Sequence, residues 1–185
     1  MFERQLMFGS VALRTLGRRR GHAGANVRFQ SIADIGTGQG MIHREGILQE
    51  LEAAFPAHIC IASVAPHDCL ECSDIRRALD GRSWLEVPDS YIRDNSDILP
   101  LLSSEARQAF LPAWLRHAVL RPAEGVADMM LVHLALQPPS ELFTAEQIRV
   151  VVEAAEWLSG NGGYGMDQVD VDTLADIKRI WRTTA

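Results

Sequence analysis

A chain of 185 residues, 47% hydrophobic and 23% charged, can bury one real core, yet it holds no run approaching the roughly 20 apolar residues of a helical membrane span. Its net charge of −6 is split: residues 1–40 carry six arginines against Glu3 and Asp34, a net of +4, while residues 41–185 carry 12 basic and 22 acidic residues, a net of −10. Such an acidic body repels phosphate backbones and argues against nucleic-acid binding, and three cysteines make no disulfide framework, which points to a reducing, cytoplasmic home.

The first segment, residues 1–40, lacks the periodicity of the rest. "GRRRGHAGANVRFQ" mixes glycine and arginine with no helical or strand stripe. It reads as an Arg-rich transit peptide, as a flexible basic arm, or as spurious upstream sequence with Met41 the true start. The likeness of "ANVRFQSIADIG" to translated intergenic repeats favours the last, so a poorly ordered or spurious leader is expected before a single helical domain over 41–185.

Within that leader, Asp34, Gly36, Gly38 and Gly40 match the Asp-x-Gly-x-Gly-x-Gly spacing of a methyl-donor loop. Such a loop needs a second strand ending in a carboxylate for the ribose. "HICIASVAP" offers a candidate strand, but Ser63 and Val64 stand where the acid should be, and no further strand–helix alternation follows. A methyltransferase is therefore the least favoured reading.

From Met41 the pattern is helical. "REGILQELEAAF" places Ile47, Leu48, Leu51 and Phe55 on one face, and Pro56 ends it. "CLECSDIRRALDG" turns Leu70, Ile75 and Leu79 inward, with Asp68 as N-cap, Glu71 as its capping-box acid and Gly81 as the stop. Pro88 starts a short helix. Ser103 or Ser104 caps "EARQAFLPAWLRHAVL", in which Pro112 removes one hydrogen bond and should bend the helix between Phe110 and Trp114. "EGVADMMLVHLAL" is apolar nearly all round and is expected to be the buried central helix. Thr144 and Gln147 form a capping box for a stripe of Ile148, Val151, Val152, Ala155 and Leu158. "SGNGGYG" is a joint, and Leu174, Ile177 and Trp181 line a last amphipathic helix. About six helices with short connections predict an all-α, compact bundle.

Three stretches, "HDCLECSDIRRALDGRSWLEVPDSYI", "LSSEARQAFLPAWLRHAV" and "LFTAEQIRVVVEAAEWL", resemble in that order a family of small bacterial proteins, domain of unknown function 6714, over about residues 41–160. The sharper marks are Gly81 to Trp84 before a Leu/Val-Pro, and "FLPAWL" from Phe110 to Leu115, with Phe110 where other members often carry tyrosine. The resemblance implies a shared helical fold and a start near Met41. It implies no activity, cofactor or catalytic residue.

The densest chemistry lies in His67, Cys69 and Cys72, three potential zinc ligands lacking a fourth, for which Cys60, His58, His117 or His133 could serve. One Cys-x-x-Cys pair is a weaker sign than two. A redox dithiol would want a thioredoxin-like sheet, which the pattern does not offer, and the bland alternative makes the cysteines small core fillers at a helix start. Glu71/Asp74 and Asp94/Asp97 are close carboxylate pairs, more often capping or solvated than catalytic. Asp170, Asp172 and Asp176 do not space as a calcium loop. His117 and His133 read as hydrogen-bonded core residues, and Trp84, Trp114, Trp157 and Trp181 as core or rim packing, or as a partner surface if two prove exposed together. With no catalytic constellation, the expected function is that of a small acidic cytoplasmic domain that binds another protein, regulatory or immunity-like. The alternative is a zinc-binding module or metal-dependent enzyme using His67, Cys69 and Cys72.

Overall fold

Several helical elements of this chain begin where a side chain, of Cys69, Ser83, Ser103 or Thr144, accepts from one of the first unpaired N–H groups. The computed structural model describes residues 37–58, 61–161 and 168–182, and the side chains of 43–58, 61–161 and 172–182 among them. The elements are α1 (Thr37–Ala54), α2 (Leu70–Leu79), a 3-10 turn (Trp84–Glu86), α3 (Asp89–Asp94), a second 3-10 turn (Leu99–Leu101), α4 (Ser104–Leu120), α5 (Val126–Leu136), α6 (Ala145–Asn161) and α7 (Gln168–Arg182). Among the described residues there is no strand, so the fold is all-α. The proposed leader falls largely outside the described residues. Its last part, Thr37 to Gly40, is the first turn of α1, so Gly38 and Gly40 lie in a helix.

Ser103 is the cap of α4: its hydroxyl accepts from the Ala106 amide at 3.1 Å and donates to the Ser63 carbonyl at 2.7 Å. The Ser103 amide bonds the Val64 carbonyl at 2.9 Å, and Glu105 accepts from the Ala62 amide at 3.2 Å. The stretch expected as a strand is thus, over its described part, an irregular segment laid across the start of α4. Val64 and Ala65 are buried by that docking, which is what their apolar character reflected. Ser83 and Glu86 form a reciprocal capping box on the first 3-10 turn. Gly81, at φ +72°, takes the left-handed turn after α2 that a side chain would strain.

The Thr144–Gln147 box closes as expected, with Gln147 N to Thr144 Oγ1 at 3.2 Å and Thr144 N to Gln147 Oε1 at 3.1 Å. Gln147 is also buried, and its amide does more. Oε1 accepts from Gln108 of α4 at 2.9 Å, and Nε2 donates to the Ala54 carbonyl at the end of α1 at 3.1 Å. Gln108 in turn donates to the Leu142 carbonyl. One side chain joins α1, α4 and the start of α6.

The buried central helix is α4 rather than α5. Every residue from Ala109 to Leu115 is buried, Pro112 included, and α4 runs through that proline as one element. In α5, Val126, Ala127, Met130, Leu131, His133 and Leu134 face the core against α4, α6 and α7, while Met129, Val132 and Leu136 face solvent. Overall apolarity said that α5 could be covered on all sides; the fold covers only those sides where a neighbour exists. Leu70 also departs from expectation, pointing outward at 87% exposure while Cys72, Ile75 and Leu79 make the buried stripe of α2.

All four tryptophans are buried. Three direct their indole N–H at a carbonyl near another helix's end: Trp84 to Phe55 (3.4 Å), Trp114 to Asn95 (3.1 Å) and Trp181 to Leu134 (2.9 Å). Phe55, Phe143 and Trp181 stack edge to face with centroids 6.4 and 5.4 Å apart. At the surface, Arg149 of α6 pairs with Glu50 of α1, Glu146 and Glu153.

Replacing Gln147 by leucine should leave the Ala54 carbonyl and the Thr144 amide without their partner. The expected loss is about 2–4 kcal/mol, against about 1 kcal/mol for Thr144→Ala, which removes only the cap. Urea unfolding of both variants measures the difference, and equal losses would reduce Gln147 to an ordinary cap.

Candidate functional site

The start of α2 is built from the loop that precedes it. Arg76, in the last turn of the helix, reaches back so that Nη1 donates to the carbonyls of Ala65 at 2.8 Å and His67 at 2.9 Å, while Nη2 lies 3.5 Å from Asp68. That grip sets the chain direction entering the helix. The N-cap is consequently Cys69 and not Asp68: its φ and ψ are extended, and its Sγ accepts from the Cys72 amide at 3.3 Å. Glu71 and Asp68 point to solvent, and Asp74 pairs with Arg77 at 2.8 Å.

The two thiols end in opposite surroundings. Cys69 is exposed and Cys72 is buried, at 1% exposure. The Cys72 amide, then the Cys72 thiol, lower the Cys69 pKa below its ordinary value. Cys72 is raised by donating to Cys69 and by burial. His67 is exposed on the loop. Among the described residues no three His, Cys, Asp or Glu side chains are grouped to hold one metal ion. Cys60 lies outside the described residues.

His117 and His133 meet different environments. His117 is buried between two acids, with Nε2 3.0 Å from Glu124 Oε2 and Nδ1 3.5 Å from Asp89 Oδ1. Arg121 reaches both carboxylates, at 3.3 and 3.7 Å. Desolvation pushes the Asp89 carboxyl up, but His117 and Arg121 together outweigh it and hold Asp89 below its usual range. This cluster fastens α3 to the end of α4 and has the form of a structural clamp. Asp94 contacts Arg93 at 3.4 Å.

His133 borders an open groove of about 160 Å³ on the outer side of α5, lined chiefly by Pro100, Met129, Val132 and Leu136, with Asp97 and Gln137 at its polar edge. Its Nδ1 is buried without a hydrogen-bond partner. Burial, then the charge of Arg107, push its pKa down to about 4. Arg107 ties α4 to the end of α5 by donating to Gln137 Oε1 at 2.9 Å. The groove was missed in the sequence because Ser96, Asp97 and Pro100 come from a separate loop. The only local sign was the surplus of apolar residues on α5.

Scans of protein-family models, of curated proteins and of solved structures give no match to this chain. No helix among the described residues is long and apolar enough to cross a membrane.

An imidazole ordinarily near 6.5 and held near 4 when folded takes up its proton preferentially in the unfolded chain. His133 therefore costs no stability above about pH 6.5 and lowers stability as pH falls from there toward 4, by up to about 3 kcal/mol. His133→Leu should flatten that part of the pH–stability curve. Urea titrations at intervals between pH 7 and 4.5 test it; parallel curves for the two proteins would refute it.

Proposed function

We propose that the helical domain is a protein-binding module, cytoplasmic and acting by association, and that the outward face of α5 is its contact surface. The observation that carries this reading is the apolar row of Met129, Val132 and Leu136, exposed by 36%, 47% and 72%, beside the His133 groove. Scattered apolar residues on a surface are ordinary, but three at positions i, i+3 and i+7 bordering a concavity form a surface that a partner helix can cover.

Size and charge narrow the occupant. A space of about 160 Å³ is below the several hundred cubic ångströms that enclose a typical small-molecule ligand, and it suits one bulky apolar side chain. Asp97 at the edge and the net −10 of residues 41–185 favour a cationic partner. The reading is thus of an amphipathic helix that seats a Phe or Leu anchor between Pro100 and Val132 and sets Lys or Arg against the acidic surround.

The probe is a synthetic cationic amphipathic peptide with one phenylalanine anchor, compared with its Phe→Ser form and with an acidic peptide of the same pattern. Calorimetry should give a micromolar Kd for the first alone, weakened roughly tenfold or more by Val132→Lys, with the unfolding midpoint changed by no more than about 2 °C. Equal binding by all three peptides, or no effect of Val132→Lys, would overturn the proposed surface.

A further inference from the structure

The Cys-x-x-Cys at the start of α2 has a geometry that neither helix capping nor core filling requires. Sulfur is a weak acceptor, and serine, asparagine or aspartate would cap α2 better than Cys69 does. A cysteine serving only as core filler would have no reason to be exposed, as Cys69 is. The Cys69 sulfur lies 3.3 Å from the Cys72 amide nitrogen, which is three bonds from the Cys72 sulfur. The two sulfurs thus belong to one turn at the helix start, one open to solvent and one shielded.

We propose that Cys69 and Cys72 form a dithiol–disulfide exchange centre, with the exposed Cys69 as attacking sulfur and the buried Cys72 as resolving sulfur. The helix start supplies the activation. An N–H at the first turn of α2 points at Cys69 Sγ, where it stabilises the thiolate in the same way that helix N-termini stabilise anions. The opposed shifts of the two thiols, Cys69 down and Cys72 up, fit that division of labour. Arg76 holds the 65–67 backbone in place around the site, and Leu70, almost wholly exposed beside the attacking sulfur, offers apolar contact to an incoming disulfide. A sheet is not needed for any of this, because the required elements are one helix end and the loop that enters it.

The oxidant is a low-molecular-weight disulfide of the glutathione class. The Cys69 thiolate attacks one of its sulfurs, forming a mixed disulfide and expelling one thiolate, which takes a proton from water. The Cys72 thiol then gives its proton to solvent and attacks Cys69 Sγ, and the second thiolate leaves and is protonated. Two cysteine thiols are oxidised to one disulfide while one disulfide is reduced to two thiols.

The test uses the full chain, reduced and folded, in graded glutathione/glutathione-disulfide buffers, with peptide mapping by mass spectrometry. The expected product is an internal Cys69–Cys72 disulfide. Cys72→Ser should instead accumulate the glutathione mixed disulfide on Cys69, and Cys69→Ser, which keeps a capping oxygen, should leave Cys72 unreacted in the folded protein. At pH 7, Cys69 should react with glutathione disulfide roughly threefold or more faster than the same cysteine in an unstructured "HDCLECSD" peptide, a modest factor because a lower pKa also weakens the nucleophile. Any of three results would overturn the proposal. These are a rate no higher than the peptide's, a disulfide that pairs Cys69 with Cys60 instead, and stoichiometric zinc held through Cys69 and Cys72 in the purified protein.

Discussion

The side-chain amide of Gln147 is the constraint on which the arrangement of α1, α4 and α6 depends. A buried amide has two donors and two acceptor sites, and leaving them unpaired costs more than pairing them gains. Here both sites on Oε1 are taken, by the Thr144 amide and by Gln108, and Nε2 is directed at the Ala54 carbonyl. The last carbonyls of α1 have no partner inside that helix, so the amide resolves a deficit that α1 creates by ending. The apolar stripes of these helices would tolerate a range of crossing angles. A fixed set of hydrogen bonds where they converge tolerates far fewer, which is how one polar residue in an apolar junction selects a single packing.

Local features of the sequence announce this fold well, and tertiary ones poorly. The capping box at Thr144 and Gln147 is visible because both partners lie within one turn, and the stripe from Ile148 to Leu158 is visible because its period matches a helix. The second role of Gln147 is not, since Ala54 lies 93 positions away. The cap of α2 shows the same limit. Asp68 is the better capping residue by type, but Arg76 bonds the carbonyls of Ala65 and His67, and the loop so held brings Cys69 to the cap position. The order of α4 and α5 was misjudged for a related reason. Composition measures how much of a helix can be buried, and neighbours decide how much is. Pro112, an apparent flaw in α4, sits where the helix is enclosed on every side by packing, and the core holds it in place.

The candidate surfaces owe their character to what the core leaves uncovered. His133 faces inward enough to lose its solvation, yet it borders a groove, so its imidazole stays neutral where a surface histidine would titrate. His117, by contrast, is buried with carboxylates on both sides and is committed to fastening α3 against α4. Two histidines that read alike in sequence differ because Asp89 and Glu124 come from outside α4, while nothing equivalent reaches His133 Nδ1. Cys69 and Cys72 differ in the same manner: the helix turns one sulfur to water and the other inward.

The bond from the Trp181 indole to the Leu134 carbonyl has a bearing on how α7 can move. Packed helices joined only by interdigitating side chains can slip lengthwise by a turn, about 5.4 Å, and find similar ridges and grooves to rest in. A large flat ring that fills its own slot and must also meet one particular carbonyl has no equivalent resting place one turn away. The final helix is thereby keyed to a single axial position, and any motion it undergoes should be detachment as a whole and not a glide along its neighbour.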